Sequence, residues 1–423
     1  MQNGNNDLRI GIVGFGLRAG LWREAHKPGQ GSVVTAVCDP AARALADAHR
    51  ELPHATLTRD INELLATGVD AVLVLTPDDQ HAAVAIPALE VGVAVFCDKP
   101  LATTLADMDA ILETARRTGS LLYVGHNMRH MPVIKMMRSL IVEGAIGEVK
   151  AIWCRHFVGN GGDYYFKDWH ADRRHTTSLL LQKGAHDIDI IHWLAGAPSV
   201  KVAAMGDLMI YGDITSRRDR SGERMRDWFS LSNWPPTSLE GLNDIVDVED
   251  ISQVNMLLAN GALASYQQCH FTPDYWRNYT VIGTEGRLEN MGDTTGSYIY
   301  LWNKRHNGAA PPDEKYLVTA PTVSDAGHDG ADALLIAEFL RFVREGGKTE
   351  TSPIAARDSV AAGIVATESL RSGGGALPVP QLDADLIAYF DNGQRASSPD
   401  MPTSSPSVTD NAIAATKAAG EQR

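Results

Sequence analysis

The sequence has little of what marks nucleic-acid-binding, membrane-spanning or disulfide-stabilised proteins. Its 423 residues contain 38 lysines and arginines against 52 aspartates and glutamates. The net charge of −14 argues against a nucleic-acid partner, which needs clustered basic residues. No run of about 20 uncharged apolar residues is present, so no membrane partner is expected. The four cysteines form no C-x-x-C pair, which favours a cytoplasmic protein without a metal site.

The order of strand-like and helical segments differs between the two parts of the chain. Up to about residue 125, apolar runs at 8–13, 33–38, 71–75, 94–97 and 121–124 alternate with helical patterns. This alternation predicts an α/β Rossmann domain with a doubly wound parallel sheet. After residue 148, strand-like runs follow one another with few helices between them. They predict a C-terminal α+β domain with an open, mainly antiparallel sheet.

The predicted boundaries follow this difference. We expect an NAD-binding Rossmann domain over 1–125 and a substrate-binding and oligomerisation domain over 126–393, with helices between 332 and 371 packing around the second sheet. Residues 394–423 are rich in Ser, Pro, Thr and Ala and are expected to be disordered. The charged segment 207–246 lacks periodicity, so it is predicted to be a functional loop or a disordered one.

A glycine-rich turn follows the first predicted strand. Gly14, Gly16 and Ala19 fit the pattern G-x-G-x-x-A. In such a turn the first glycine permits the tight bend, the second lets a pyrophosphate approach the backbone, and the small third residue lets helix and strand pack closely. The residues predicted to border the cofactor here are Gly14, Phe15, Gly16, Leu17, Arg18 and Ala19.

The second predicted strand ends in Asp39, at the spacing expected for a ribose-binding carboxylate. Such a group accepts hydrogen bonds from both ribose hydroxyls and repels a 2′-phosphate, so NAD is favoured over NADP. Arg43 lies nearby and softens that preference. The alternative is that Asp39 only caps the following helix.

Two further segments, starting at Asp70 (DAVLVLTPDDQH…FCDKPLA) and at Leu179 (LLLQKGAHDIDIIHWLAG), complete a recognisable set. Together with the glycine turn they resemble the Gfo/Idh/MocA family of NAD(P)-dependent sugar and polyol dehydrogenases, from about residue 8 to about 373. The resemblance implies that Lys99 lies beside the nicotinamide and the reacting hydroxyl. It also implies that Pro100, often cis in the family, fixes that turn. Further cofactor-bordering positions implied by the family motifs are Thr76, Pro77, His81, Asp98 and Asn127.

The segment after Leu179 departs from the family pattern D-x-G-x-H-x-x-D. A single helix over 178–194 would place Gln182, His186 and Asp189 on one face. His186 is implied as the acid/base or hydroxyl-orienting residue. Gln182 stands where the family usually has Asp, so His186 should be less biased toward its protonated form. Lys183 is interpreted either as a compensating substrate-binding charge or as a solvated lysine.

The segment 155–177 concentrates aromatic and basic side chains just before that helix. Aromatic faces with polar heads suit a pyranose ring, and the cations suit an anionic substituent. A plain contact between subunits is the alternative. The predicted substrate-binding residues are Tyr165, Trp169, His170, Gln182, Lys183, His186, Asp189 and Tyr275.

The sequence therefore predicts an NAD-dependent dehydrogenase of a sugar, polyol or anionic sugar derivative, in which Lys99 and His186 handle the hydroxyl proton. The resemblance also implies a homo-dimer or homo-tetramer. Two alternatives remain open. One is a glycosidase that oxidises, eliminates, hydrates and reduces its substrate with no net redox change. The other is a non-enzymatic NAD-sensing or scaffold protein.

Overall fold

Two β-sheets organise the chain in the computed structural model, which describes residues 7–220, 222–320 and 328–394. The six strands of the first sheet are β1 (Leu8–Val13), β2 (Ser32–Cys38), β3 (Thr56–Thr58), β4 (Ala71–Val74), β5 (Ala94–Cys97) and β6 (Leu122–Val124). All pair in parallel in the order β3-β2-β1-β4-β5-β6. This order reverses between β1 and β4, so a crevice opens at their carboxyl ends, which is where open α/β sheets bind ligands.

The second sheet has nine strands. They are β7 (Val149–Phe157), β8 (Ser199–Asp207), β9 (Ile251–Leu258), β10 (Leu263–Cys269), β11 (Trp276–Gly283), β12 (Arg287–Met291), β13 (Tyr298–Trp302), β14 (Glu314–Leu317) and β15 (Leu377–Pro378). Their order is β14-β13-β12-β11-β7-β10-β9-β8-β15. Only the β7–β10 pair among these is parallel. The predicted fold class, a Rossmann sheet followed by a mainly antiparallel one, is confirmed.

Helices cover the first sheet and one face of the second. The α-helices are α1 (Trp22–Ala25), α2 (Ala42–Glu51), α3 (Ile61–Ala66), α4 (His81–Glu90), α5 (Leu105–Thr118), α6 (Pro132–Val142), α7 (Gly161–Tyr165), α8 (Arg173–Thr176), α9 (Leu179–Gln182), α10 (Gly184–Ala195), α11 (Met225–Trp228), α12 (Ala331–Glu345), α13 (Pro353–Arg371) and α14 (Ala384–Asp391). Within the described ranges no helix is long and apolar enough to cross a membrane.

The two long C-terminal helices pack differently from the expectation that both surround the second sheet. In α12, Leu335 and Phe339 are buried in the same cluster as Ile10 and Phe96 of the first sheet. The i, i+4 spacing of such residues predicts a buried helix face but does not identify the sheet that covers it. Helix α13 lies between the domains, because its residues contribute to the cores on both sides.

The structure describes most of the 207–246 segment and the first residue of the expected disordered tail. The segment 207–246 contains α11 and two short 3-10 helices, Tyr211–Asp213 and Pro236–Ser238. Gln394, the first residue of the expected disordered tail, is instead buried and pairs with both backbone groups of Leu122 on the edge strand β6. Its amide can satisfy that exposed strand edge, which the tail's composition does not reveal. The rest of the tail, 395–423, lies outside the described residues.

Candidate active site

The glycine turn after β1 leaves an open surface at the crevice. Gly14 has φ +93°, and a Cβ there would lie 2.6 Å from the carbonyl oxygen of Leu75, so only glycine fits. A Cβ at Gly16 would meet no atom within 4 Å. The 3-10 helix Leu17–Leu21 starts here without a side-chain cap, and Ala19 is buried against the sheet. Uncapped backbone N–H groups beside open space suit a pyrophosphate.

Both carboxylate oxygens of Asp39 accept hydrogen bonds from backbone N–H groups. Oδ2 accepts a hydrogen bond from the N–H of Phe15 at 2.8 Å, and Oδ1 accepts one from Ala41 at 2.8 Å. The residue therefore ties the glycine turn to the start of α2 and still has lone pairs for ribose hydroxyls. Arg43 faces Asp227 of the 207–246 segment, with 3.4 Å between Nη2 and Oδ2.

An ion-pair network joins the glycine turn to the turn after β5 and to the start of α12. Arg18 Nε lies 2.8 Å from Asp98, and its Nη1 lies 3.0 Å from Asp332. Asn127 donates from Nδ2 to Asp332 at 2.8 Å, and its Oδ1 is buried without a partner among the described residues. Sequence reasoning missed Asp332, which lies more than 200 residues from both partners and carries no motif.

The turns after β4 and β5 are joined by a buried histidine. Thr76 and Pro77 lead from β4 into the 3-10 helix Asp78–Gln80. His81 places Nε2 3.1 Å from the Thr76 carbonyl oxygen and Nδ1 2.7 Å from that of Pro100. The Lys99–Pro100 peptide bond is cis, as the resemblance implied. His81 thus positions both turns rather than presenting its ring to a ligand.

Lys99 connects the two domains. Its Nζ donates a hydrogen bond of 2.6 Å to the backbone carbonyl of Gln182, at the end of α9. Burial lowers the pKa of Lys99, and the charge of Asp78 opposes that effect. The ammonium form is therefore less favoured than in water, which brings the amine closer to use as a base.

The helix predicted over 178–194 is broken. α9 ends at Gln182 and α10 starts at Gly184, with Lys183 between them. An unbroken helix would use the Gln182 carbonyl as acceptor for the N–H of residue 186, but this carbonyl accepts from Lys99 instead. The sequence pattern could not show the break, because the competing donor comes from the other domain.

His186 and Gln182 present unsatisfied polar atoms. His186 Nδ1 and Gln182 Oε1 are buried and have no hydrogen-bond partner among the described residues. Burial and the charges of Lys99 and Lys183 hold the pKa of His186 well below its usual value. His186 is therefore neutral at physiological pH, in the direction that the Gln182 substitution predicts.

Asp189 does not line the cleft, contrary to the prediction. Arg129 binds it with two hydrogen bonds of 2.7 and 2.8 Å, and His126 Nδ1 lies 3.2 Å away. The carboxylate is 1% exposed. Helical spacing placed it on the His186 face, but Arg129 of the interdomain connection already occupies it. Asp189 thus positions the connection and is not free for substrate.

Asp187 is the centre of a buried network behind His186. His156 and Tyr266 contact its Oδ2 at 2.8 and 2.9 Å, while Tyr279 at 2.5 Å and Arg277 at 3.1 Å contact Oδ1. The network anchors α10 to three strands of the second sheet. Polar residues at the buried positions of these strands are a signal that the sequence contains. That they converge on one carboxylate becomes visible only once the order of the strands in the sheet is known.

The 155–177 segment forms an aromatic wall. Trp169 stacks on His170 with 3.7 Å between ring centroids, and Tyr165 meets His170 edge-on at 5.5 Å. Tyr275, on the loop before β11, donates to Asp293 at 2.5 Å. The structure describes these contacts but holds no substrate, so their binding role stays a prediction.

Most cations of this segment are already paired. Lys167 lies 2.6 Å from Asp163, Arg173 3.2 Å from Asp247, and Arg174 contacts Asp172. The expectation that several of them recognise an anionic substituent is therefore not supported. Lys183 differs, because no hydrogen bond or ion pair joins its ammonium to a described residue. Burial, together with Arg277 and Lys99, lowers the pKa of Lys183 to about 7.

Comparison with known proteins agrees with this geometry. Residues 8–126 match the model described as an oxidoreductase family with an NAD-binding Rossmann fold, and residues 138–380 match that family's C-terminal alpha/beta domain. The chain belongs to the Gfo/Idh/MocA oxidoreductase family. In the part of this oxidoreductase that the structure describes, no three His, Cys, Asp or Glu side chains are grouped to hold a metal ion.

Two curated relatives and one solved structure are similar to this chain. A myo-inositol 2-dehydrogenase of Thermotoga maritima is 26% identical over 352 residues, 78% of this chain and 94% of the relative. An inositol 2-dehydrogenase of Corynebacterium glutamicum is 31% identical over 202 residues, 47% of this chain and 57% of the relative. A levoglucosan dehydrogenase in complex with NADH and levoglucosan superposes with a TM-score of 0.71 at 19% identity, covering 89% of this chain and all of that one.

Proposed function

We propose that this oxidoreductase transfers hydride between a carbinol carbon of a sugar, polyol or sugar derivative and nicotinamide. One observation carries the proposal: the amine of Lys99 and the unsatisfied side chains of His186 and Gln182 meet where the crevice of the first sheet faces the second domain. The names of the inositol and levoglucosan dehydrogenases support the substrate class.

The residues at the crevice fit a dinucleotide. The open surface above Gly16 would receive the pyrophosphate, Asp39 the adenosine ribose, and Asn127 the nicotinamide end. NAD is preferred over NADP because the Asp39 carboxylate repels a 2′-phosphate and Arg43 already faces Asp227. When bound, the nicotinamide supplies the carbon that exchanges hydride with the substrate.

Lys99 acts as the proton acceptor during alcohol oxidation. The lowered pKa of its buried amine increases the fraction that can accept the hydroxyl proton. His186 remains neutral and orients the same hydroxyl through its free ring nitrogen. In the reducing direction Lys99 returns the proton to the carbonyl oxygen.

The substrate lies between the helix break and the aromatic wall. Gln182 and Lys183 bind it from the break, and Tyr165, Trp169 and His170 contact it from the wall. Tyr275 contributes from the loop before β11. Lys183 is the one side chain of this set that offers a charge for an acidic substituent.

A redox-neutral glycosidase is the second candidate. The stacked rings of Trp169 and His170 favour it, since an aromatic face beyond the reacting ring suits the second group of a glycoside. In this case the same Lys99 and His186 move the proton, and no reduced cofactor accumulates.

We also propose self-association through the outer face of the second sheet, giving a homo-dimer or homo-tetramer. Trp153 on β7, Met205 on β8 and Leu263 on β10 are 54%, 71% and 62% exposed there. Large apolar side chains sharing one open sheet face favour a partner surface. Light scattering of the purified chain would measure the molecular mass.

The four free thiols, three of them buried, agree with a reducing cytoplasm.

One assay with two readouts separates the candidates. The protein with NAD is mixed with free sugars, polyols, acidic sugars and their aryl glycosides, while reduced-nicotinamide absorbance and aglycone release are followed together. A dehydrogenase gives absorbance in proportion to substrate consumed. NAD-dependent aglycone release without absorbance identifies the glycosidase. Failure of both signals across the panel, with NAD bound, would contradict the proposed substrate class.

A further inference from the structure

A buried carboxylate that no motif explains lies beside Lys99. Asp78 opens the 3-10 helix Asp78–Gln80 directly after the β4 turn. It is 4% exposed, and its Oδ2 is buried without a hydrogen-bond partner among the described residues. Burying a carboxylate without a partner costs free energy, so a compensating positive charge is expected nearby.

The fold brings Asp78 to the Lys99 turn through His81. Because His81 contacts the carbonyl oxygens of both Thr76 and Pro100, the segment carrying Asp78 and the segment carrying Lys99 are held together. The titratable groups that face Asp78 come from both neighbouring turns and from the aromatic wall. They are Lys99, His81, His170 and Asp98.

The residue at position 182 increases the importance of the Asp78 charge for Lys99. The family pattern supplies an aspartate there, but this chain has Gln182, whose backbone carbonyl is the acceptor for Lys99. A neutral side chain and a carbonyl cannot balance a protonated lysine in a buried site. The charge balance at the helix break is therefore lost unless another element restores it.

We propose that Asp78 is a positioning residue that stabilises the ammonium form of Lys99, replacing from the β4 turn the charge that is absent at position 182. This inference rests on the proposed role of Lys99 as the proton acceptor. When Lys99 takes a proton from the substrate hydroxyl, the O–H bond breaks, an N–H bond forms, and the new cation faces the Asp78 carboxylate.

The electrostatic setting of the pair supports this role. Burial raises the pKa of Asp78 and lowers that of Lys99, and each group's charge opposes the shift of the other. Removing the Asp78 charge should therefore lower the pKa of Lys99 further. The other titratable groups facing Lys99 are Asp98, Arg18, Arg277, Lys183 and His186, and they are unchanged in the experiment below.

The test needs no substrate. Trace labelling with acetic anhydride across pH, read by peptide mass spectrometry, gives the midpoint at which Lys99 becomes reactive. In Asp78→Asn, which keeps the side-chain shape, the midpoint should fall by about one pH unit. Asp78→Glu should retain the wild-type midpoint. If Asp78→Asn does not fold, Asp78→Ser serves as the neutral variant with the same expected shift.

Asp79→Asn is the matched control. Asp79 adjoins Asp78, but its Oδ2 lies 2.9 Å from His175, and its loss should leave the Lys99 midpoint in place. An unchanged midpoint in Asp78→Asn, or an equal shift in Asp79→Asn, would overturn the inference. Lys99→Met separates this failure from that of the proposed function: normal turnover in Lys99→Met would refute the role of Lys99 itself.

Discussion

Two groups of buried polar side chains on α9 and α10 differ in how far their hydrogen bonds are satisfied. In the saturated group, the carboxylates of Asp187 and Asp189 are each bound by several donors. In the unsatisfied group, His186 and Gln182 keep buried polar atoms without partners among the described residues. The two groups are a few residues apart in sequence and similarly buried.

The contrast indicates which groups hold the fold and which await a ligand. Buried polar atoms in native proteins almost always find partners. A saturated group is consistent with a rigid support, and an unsatisfied one with a surface whose partners arrive from solution. Breaking the first should therefore cost stability, and breaking the second should cost activity.

The largest effect is expected for Lys99→Met, because the wild-type amine bonds the Gln182 carbonyl beside the unsatisfied group. Loss of the proton acceptor should lower kcat about 10³-fold, or about 4 kcal/mol in the barrier, on the substrate identified by the panel. The amine bonds the Gln182 carbonyl and not the glycine turn or Asp39, so NADH affinity measured by calorimetry should change little. Unchanged kcat would refute the assignment.

The saturated group is tested by Asp187→Asn. The exchange leaves the buried Arg277 without its main counter-charge and should reduce the free energy of unfolding by about 3 kcal/mol, measured by urea denaturation. Its surface control is Glu113→Gln, which removes an exposed pair with Arg116 and should cost less than about 1 kcal/mol. Equal losses in the two variants would contradict a structural role for the saturated group.

The pH dependence of this support has a definite sign. Burial opposes ionisation of Asp187, but Arg277 and His156 outweigh it and hold its pKa below the unfolded value. Its stabilisation is therefore present above the unfolded pKa of about 3.9 and is lost only as pH falls through the lower folded value. The wild-type chain should resist mild acid better than Asp187→Asn.

The smallest effect is expected for Lys183→Met. With a pKa of about 7, Lys183 is charged below that pH and neutral above it. For an acidic sugar, KM should rise about tenfold as pH increases from 6 to 8 in the wild type, about 1.4 kcal/mol. In Lys183→Met the low-pH advantage should disappear, and Lys150→Met, a surface exchange, should retain it. A neutral sugar showing the same pH response would contradict a charge effect.

The features that the sequence predicted are local ones. Gly14 and Gly16 specify a turn because their own backbone requires it, and the alternation of apolar runs specifies a parallel sheet. The break at Lys183 and the pairing of Asp189 with Arg129 were not predictable, because each depends on a donor distant in the chain. The same holds for Arg173: its charge is visible in the sequence, but its partner Asp247 is visible only in the fold.

The hydrogen bond from Lys99 to the carbonyl of Gln182 has one further consequence. Donor and acceptor belong to different domains, so the amine is held in place only while the domains are together. Any opening that lets the dinucleotide exchange must first release this bond. An opening wide enough to separate the two groups would therefore leave the amine without its fixed position until the domains closed again.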